Sequence, residues 1–394
     1  MRRNVLLLAL CQALLMTAGS GFITSATLVG QSLASDAIYA SLPVGLKFLA
    51  NMLFTFPASL LMKRIGRRGG FLLGAASGIL GAALCSYGIL QGSFLLFCIG
   101  AFLIGGANSF GQFYRFAAAD AASENFRSRA ISYVMAGGVI AAFSGPNLAV
   151  FSRDLLPVSF AGFYAAVVGV FLVSATLLSL LTIPPPSAAE RATGGRPLGE
   201  IARQPAFVVA VLGGIVAYAV MNLLMTATPL AMDLHAHPFE NTALVIQWHV
   251  VGMFAPAFVT GHLIRYLGVL AVMALGALLL LACVAVNLSG VALGHFWTGL
   301  LLLGVGWNFL YIGGTTLLTE TYTPPEKAKT QALNDFLVFS TVTCTAFASG
   351  ALHSLYGWHT LNTSVVPAIA AVLLAVSWLA LRRGLERKSP LTPL

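Results

Sequence analysis

The chain has 394 residues, of which 58% are hydrophobic and only 8% charged, with a formal net charge of +9. A soluble domain carries roughly a quarter charged residues, so this composition cannot cover a water-soluble globule of this size. The apolar runs are continuous, which excludes a β-barrel with its alternating strands, and the bases sit in short clusters between the runs, which argues against a nucleic-acid partner.

Runs long enough to cross a bilayer as helices recur along the length. Twelve spans are predicted, at about 4–31, 37–62, 69–89, 93–119, 129–150 and 156–182, then 205–230, 241–264, 268–288, 292–319, 328–353 and 360–382. The fold class is therefore an all-α polytopic membrane protein. The first run follows Arg2 and Arg3 as a signal peptide would, but it continues to Val29, longer than a typical secretory apolar region, and reads as a retained span. Cys11, Cys85, Cys98, Cys283 and Cys344 fall inside spans with no CxxC pair and read as small apolar core residues.

Ile183 to Gln204 is rich in Pro, Gly and charge. It reads as a linker, 183–204, between an N-terminal six-helix bundle, 1–182, and a C-terminal one, 205–394. With both termini placed inside, all 21 bases except Lys47, Arg115 and Arg153 fall in inside segments. That bias predicts cytoplasmic termini in a bacterial inner membrane.

The two halves repeat each other. Asn108 to Arg129 falls on Asn308 to Lys329 at an offset of 200, so that Asp120 meets Glu320, and Arg127 and Arg129 meet Lys327 and Lys329. SLLMKRIGRR, from Ser59 to Arg68, likewise matches GHLIRYLG, from Gly261 to Gly268, at an offset of about 202. Each places a base and a glycine in a tight turn after an even-numbered span. Two parallel halves related by an axis along the membrane normal are a transporter plan.

Twelve spans, a polar central linker and basic turns at 2–3 and 8–9 resemble the major facilitator superfamily over the whole chain. The family's 2–3 pattern, Gly-x-x-x-Asp-Arg-x-Gly-Arg-Arg, is matched at Arg64, Gly66, Arg67 and Arg68 and departed from at Ser59 and Lys63. The departing Asp supports a charge relay with the fifth span in the family, and this chain lacks it. Asp120, Arg127, Arg129 and Glu320 read as part of the same cytoplasmic charge frame and gating turns. The resemblance implies two pseudo-symmetric bundles, alternating access, and a central cavity lined by spans 1, 2, 4, 5, 7, 8, 10 and 11.

An ionisable side chain in mid-membrane costs at least ~2.5 kcal/mol on insertion scales and is a functional candidate by default. Lys47, Arg115, His249 and Asp335 meet that description, all on spans expected to line the cavity. Lys47 and His249 correspond at an offset of 202. Lys47 has no acid near it in its own half, so it needs an anionic ligand, a partner from the other half, or water. Arg115 and Asp335 are expected at similar depth on opposite halves and to pair when the inner side closes. Asp335, the one carboxylate well inside a span, is the expected proton carrier. Gln112 and Tyr114 adjoin Arg115, Asn222 interrupts the seventh span, Gln247 and Trp248 precede His249, and Trp307 and Asn308 interrupt the tenth. These offer the donors and the stacking face that an organic solute needs. The other histidines, among them His353, are expected at surfaces rather than as metal ligands.

No phosphate-binding GxxxxGK[ST] loop, HExxH or GxSxG occurs, so no enzyme and no cofactor are expected. The sequence therefore predicts a monomeric secondary transporter of a small organic solute, anionic or polar, coupled to protons. Efflux of drugs or metabolites by the same fold, and a non-transporting membrane receptor, are the competing readings. QFYRFAAAD, from Gln112, and IQWHVVGMF, from Ile246, resemble a bacterial subgroup that includes vitamin-type uptake carriers such as those for riboflavin.

Overall fold

The computed structural model describes the backbone of residues 2–121, 127–182 and 195–388. Linker residues 183–194 and the side chains of Asp120, Arg127 and Arg129 lie outside the described residues. In hydrocarbon every backbone N–H and C=O must be satisfied within the segment, and the apolar runs accordingly form helices. The first half comprises α1 (Arg2–Leu33), α2 (Leu42–Leu90), α3 (Phe94–Gly111), α4 (Tyr114–Asp120), α5 (Arg127–Ser152) and α6 (Ala161–Ser179). A short α7 (Leu198–Ala202) precedes the second half. That half comprises α8 (Pro205–Leu234), α9 (Phe239–Phe254), α10 (Ala257–Leu267), α11 (Val269–Ser289), α12 (Leu293–Thr319), α13 (Lys327–Ser364) and α14 (Val366–Lys388).

Helix and span are not the same unit here. Among the described residues nine helices are long and apolar enough to cross a membrane, or ten with α9 and α10 taken as one span bent by 43°. The longest apolar stretch, 329–384, contains a backbone break at Gly357. Dividing it there, and adding the shorter apolar 136–152 part of α5, brings the number to twelve. The result is two six-helix bundles.

The repeated turns have the same stereochemical cause. α2 breaks at Gly66, where φ is +79°, and α10 gives way to α11 at Gly268, where φ is +89°. Only glycine enters that region without a Cβ penalty. The two positions are 202 apart, the offset of the sequence repeat. The span formed by α9 and α10 bends at Pro256, which has no N–H to give the preceding turn.

Small residues let the helices approach closely, as bilayer packing requires. A Cβ on Gly21 of α1 would come within 2.8 Å of the Gly145 carbonyl oxygen of α5. One on Gly276 of α11 would come within 2.9 Å of the Gly306 oxygen of α12. Cys11, Cys85, Cys98 and Cys283 are buried as expected, but Cys344 is exposed, because its face of α13 turns outward.

Several hydrogen bonds, a ring contact and an ion pair join the bundles toward the end opposite the termini. Ser41 Oγ donates to the Phe347 carbonyl at 3.2 Å and accepts from the Gly350 amide at 2.9 Å. Asn147 donates to Gln247 Oε1 at 3.0 Å, and Phe160 meets Phe239 edge-on at 4.9 Å. Arg153 lies 3.8 Å from Glu240. These contacts close that end.

At the terminus end the last linker residues dock on the second half. The Arg196 side chain and backbone amide donate to the buried Glu326 carboxylate at 2.7–2.8 Å. Lys329 in turn donates to the Arg196 carbonyl at 2.5 Å. The Arg196 bonds, with that from the Thr323 amide, hold the Glu326 carboxyl well below the usual carboxylate range.

Candidate functional site

A cavity of about 290 Å³ lies between the two halves. Its first-half wall is polar. α1 contributes Gln12 and Ser20, α2 contributes Lys47 and Asn51, and α3 with the turn after it contributes Asn108 and Gln112. Arg115 enters from α4. Lys47 with Asn51, and Asn108 with Gln112, are four residues apart and therefore share a helix face. The break between α3 and α4, at Gln112 and Phe113, lies against the cavity, so backbone irregularity coincides with the polar wall.

The second-half wall is aromatic. Trp307 and Tyr311, one turn apart on α12, stack with ring centroids 5.1 Å apart and planes 18° from parallel. Tyr218 of α8 meets Trp307 edge-on at 5.1 Å and Tyr311 at 4.9 Å. Phe339 of α13 and Phe254 of α9 extend the surface, at 5.9 Å from Tyr218 and 6.3 Å from Trp307. Met221, Met225 and Met253 line this wall beside Ile246 and Val250, with Met16 on α1 across from them, and unbranched thioethers adapt to irregular shapes. Among the described residues the buried Trp307 indole N–H has no hydrogen-bond partner.

Three charged side chains reach this space. Lys47 is 4% exposed, and its ammonium lies 5.0 Å from the Phe22 ring centroid and 5.4 Å from that of Phe48. No carboxylate among the described residues comes within 4.0 Å of it. The Arg115 guanidinium lies 4.9 Å from the Phe116 ring centroid, with its buried Nε unpartnered among the described residues. The Asp335 carboxylate accepts from Asn334 at 3.1 Å. Arg115 and Asp335 border the same cavity from opposite halves, but no ion pair within 4.0 Å joins them.

Of the residues singled out in the sequence, Lys47, Gln112, Arg115, Trp307 and Asp335 are brought together here. The others are placed elsewhere by specific partners. Tyr114 packs edge-on to Phe71 at 4.8 Å inside the first bundle. Asn222 donates to the Val342 carbonyl at 3.1 Å and to Thr345 at 3.2 Å. Gln247 belongs to the closed end, and Trp248 faces Trp297 at 5.7 Å. His249 is fully buried with Nδ1 at 2.9 Å from the Leu300 carbonyl and Nε2 unpartnered. Asn308 joins Thr260 at 2.7 Å and the Met253 carbonyl at 2.6 Å, tying α12 to the bent span.

Glu320 pairs with Arg383 at 2.7 Å, and Arg64 and Arg68 are exposed beside the Gly66 pivot with Arg67 half-buried. His353, expected at a surface, is 8% exposed. Its stretch of α13 faces the first half across a second cavity of about 200 Å³. No cluster of three metal-ligating side chains occurs among the described residues.

Sequence reasoning did not single out Gln12, Ser20, Asn51, Tyr218, Tyr311 or Phe339. Asn51 was within reach, one turn from Lys47, and Tyr311 likewise from Trp307. Asn108 was seen only as a mark of the repeat.

Fold and cavity together are those of a polytopic α-helical transporter with a cavity between two bundles. The model of the Major Facilitator Superfamily matches residues 8–337, and the chain belongs to that superfamily. It is 43% identical over 377 residues to riboflavin transporter RfnT of Brucella anthropi, covering 94% of each chain. It is 29% identical to the uncharacterised MFS-type transporter YdeG of Bacillus subtilis, over 90% of this chain and 86% of that one. Among solved structures, a bacterial homologue of the human lysosomal transporter Spinster, in an inward-facing and occupied conformation, superposes with a TM-score of 0.74. Identity there is 17%, with 98% of each chain covered. Nucleoside transporter NupG gives 0.74 at 11% identity, covering 95% of this chain and 99% of that one.

Proposed function

We propose that this transporter carries riboflavin into the bacterial cell across the inner membrane, driven by protons. The observation that carries the reading is the division of the cavity into an aromatic wall and a hydrogen-bonding wall. Riboflavin is a flat tricyclic ring with a hydroxylated tail. The Trp307–Tyr311 surface suits the ring, since aromatic stacking is worth about 1–3 kcal/mol per ring by analogy with base stacking. The amides of Gln12, Asn51, Asn108 and Gln112 suit the tail and the polar ring edge. Similarity to the Brucella riboflavin transporter supports the same substrate.

The distribution of bases supports cytoplasmic termini. With that orientation the closed end faces outward and the transporter stands inward-facing. In this reading Asp335 takes its proton from outside and releases it inward. Transport then proceeds by the two bundles rocking about the cavity.

The test is uptake of labelled riboflavin by a riboflavin-auxotrophic bacterium that lacks its own carrier and expresses this chain. Saturable accumulation that lets the strain grow on low riboflavin is expected. No accumulation from protein shown to be in the membrane would overturn the substrate assignment. For coupling, Asp335→Asn should lose acceleration by an imposed inward pH gradient while keeping riboflavin exchange. Full gradient-driven uptake by that variant would overturn the proton role.

A further inference from the structure

The Lys47 ammonium carries three N–H donors, yet among the described residues no hydrogen-bond acceptor or carboxylate answers it. Phe22 and Phe48 flank it at 5.0 and 5.4 Å. Gly19 leaves open the place where a side chain would stand, since a Cβ there would lie 3.9 Å from Nζ. Cation–aromatic contact offsets part of the cost of holding a charge here, but an aromatic face accepts no directed hydrogen bond of ordinary strength. Asn51 lines the cavity one turn further along the same face. The first-half wall thus presents an ammonium without a protein acceptor among the described residues, across from a stacking surface.

We infer that Lys47 is a specificity-determining residue that hydrogen-bonds the dione edge of a flat heteroaromatic ring while Trp307 and Tyr311 take its face. The inference rests on the riboflavin reading and deepens it. The isoalloxazine ring carries two carbonyl oxygens on either side of one N–H, with a bare ring nitrogen next to each carbonyl. Those acceptors are electron-rich without bearing a full charge. A ring-shaped substrate with such an edge answers Lys47, and a flat hydrocarbon or an aromatic cation does not. The class so defined is flavins and other rings with a pyrimidine-dione edge, with or without the sugar-alcohol tail. Lumiflavin, which keeps the ring and replaces the tail by methyl, therefore competes for the site, and ribitol, which is tail alone, does not.

The experiment uses the purified full-length transporter. Binding of riboflavin and of lumiflavin is measured through quenching of flavin fluorescence for wild type, Lys47→Met and Lys47→Arg. Met keeps the length of the stem and removes the donors. Its dissociation constants for both ligands should rise about ten- to a hundred-fold, as loss of a hydrogen bond to a charged group implies. Arg, which restores donors, should recover most of the affinity. Infrared difference spectra with flavin carrying carbon-13 at the carbonyl between the two ring nitrogens give an independent readout. The carbonyl stretch should be lower in the wild-type complex than in water, and should relax upward in Lys47→Met.

Riboflavin affinity within two-fold of wild type in a folded Lys47→Met protein would overturn the inference and leave the transport reading standing. If Lys47→Met does not fold, the wild-type spectrum decides, and an unshifted carbonyl band overturns the inference. Absence of riboflavin binding by wild type would overturn the transport reading and the Lys47 role together.

Discussion

Two adjacent glycines on α3 face different neighbours, and exchanging each for alanine separates backbone packing from helix propensity. A Cβ on Gly105 would land on the Lys47 carbonyl oxygen, and would lie 2.8 Å from Ala50 Cβ and 2.9 Å from the Lys47 carbonyl carbon. A Cβ on Gly106 would meet Ser77 Oγ at 3.1 Å and Phe54 at 3.8 Å. Both substitutions gain about 1 kcal/mol of helix propensity. At Gly106 the neighbours are side-chain atoms that can give by a few tenths of an ångström, so most of that gain survives. At Gly105 the obstacle is the backbone of α2, which cannot move without shifting the whole turn. Over-packing of this kind costs about 1–3 kcal/mol, so Gly105→Ala should be destabilised by up to about 2 kcal/mol net. The turn that must shift carries Lys47, so uptake should fall as well. Thermal unfolding of the purified variants, followed by tryptophan fluorescence, should place Gly106→Ala at or above wild type and Gly105→Ala below it. Uptake per molecule in the membrane should show the same order. A Gly105→Ala protein as stable and as active as Gly106→Ala would refute the claim that α2 and α3 lie in backbone contact at the cavity.

Other expectations follow from contacts already described. Ser41→Ala removes two hydrogen bonds from the closed end, about 1–3 kcal/mol in all, and should raise the open fraction there. A cysteine placed at buried Ala40, with Cys344 replaced by Ser, should then react faster with an impermeant maleimide, and an unchanged rate would count against this contact as a gate. At the other contact of the closed end, Phe239→Ala should accelerate the same labelling more than Glu240→Gln, because exposed ion pairs are worth only about 0–1 kcal/mol. Glu326 supplies a pH dependence. Its carboxyl titrates lower folded than unfolded, so its stabilisation is complete above the ordinary carboxylate range of about pH 4.3. It is lost as pH falls through the depressed folded value. The stability gap between wild type and Glu326→Gln should therefore be full at pH 7 and narrow below pH ~4, and a gap that widens with acid would exclude the Arg196 contact as its source.

The parts of this molecule that were legible in the sequence are those where the bilayer leaves no choice. A span must be long, apolar and helical, and its turns must carry the bases, so the repeat and the Gly66 and Gly268 breaks were readable from residue order alone. The charged residues of the cavity were readable for the same reason. Lys47, Arg115 and Asp335 are too costly in lipid to sit anywhere but against water or a partner. Neutral polar and aromatic residues carry no such constraint. Asn108 and Asn308 occupy matching places in the repeat, yet the first lines the cavity and the second locks α12 to Thr260 and Met253. Tyr218, Tyr311 and Phe339 have the composition of ordinary packing, and only the approach of α8, α12 and α13 makes them a wall.

The pair Lys47 and His249 shows how a duplicated scaffold acquires one asymmetric site. Both stand at the same register of the repeat, on the span that follows the first outer turn of each half. The imidazole has a carbonyl within reach at Leu300, on a neighbouring helix that comes so close that a Cβ on Gly304 would strike the His249 oxygen. It is thereby drawn into the second bundle. The ammonium finds no acceptor among the described residues of its own bundle, and the same kind of glycine contact, Gly105 against its carbonyl, fixes its backbone rather than its tip. The tip is left to the cavity. Equivalent positions thus diverge through whether a carbonyl is available one helix away. Replacing His249 by Lys would test this directly, since a lysine there should be destabilising rather than create a second cationic wall. Folded, active protein with a second impermeant-reagent-reactive amine in the cavity would contradict the account.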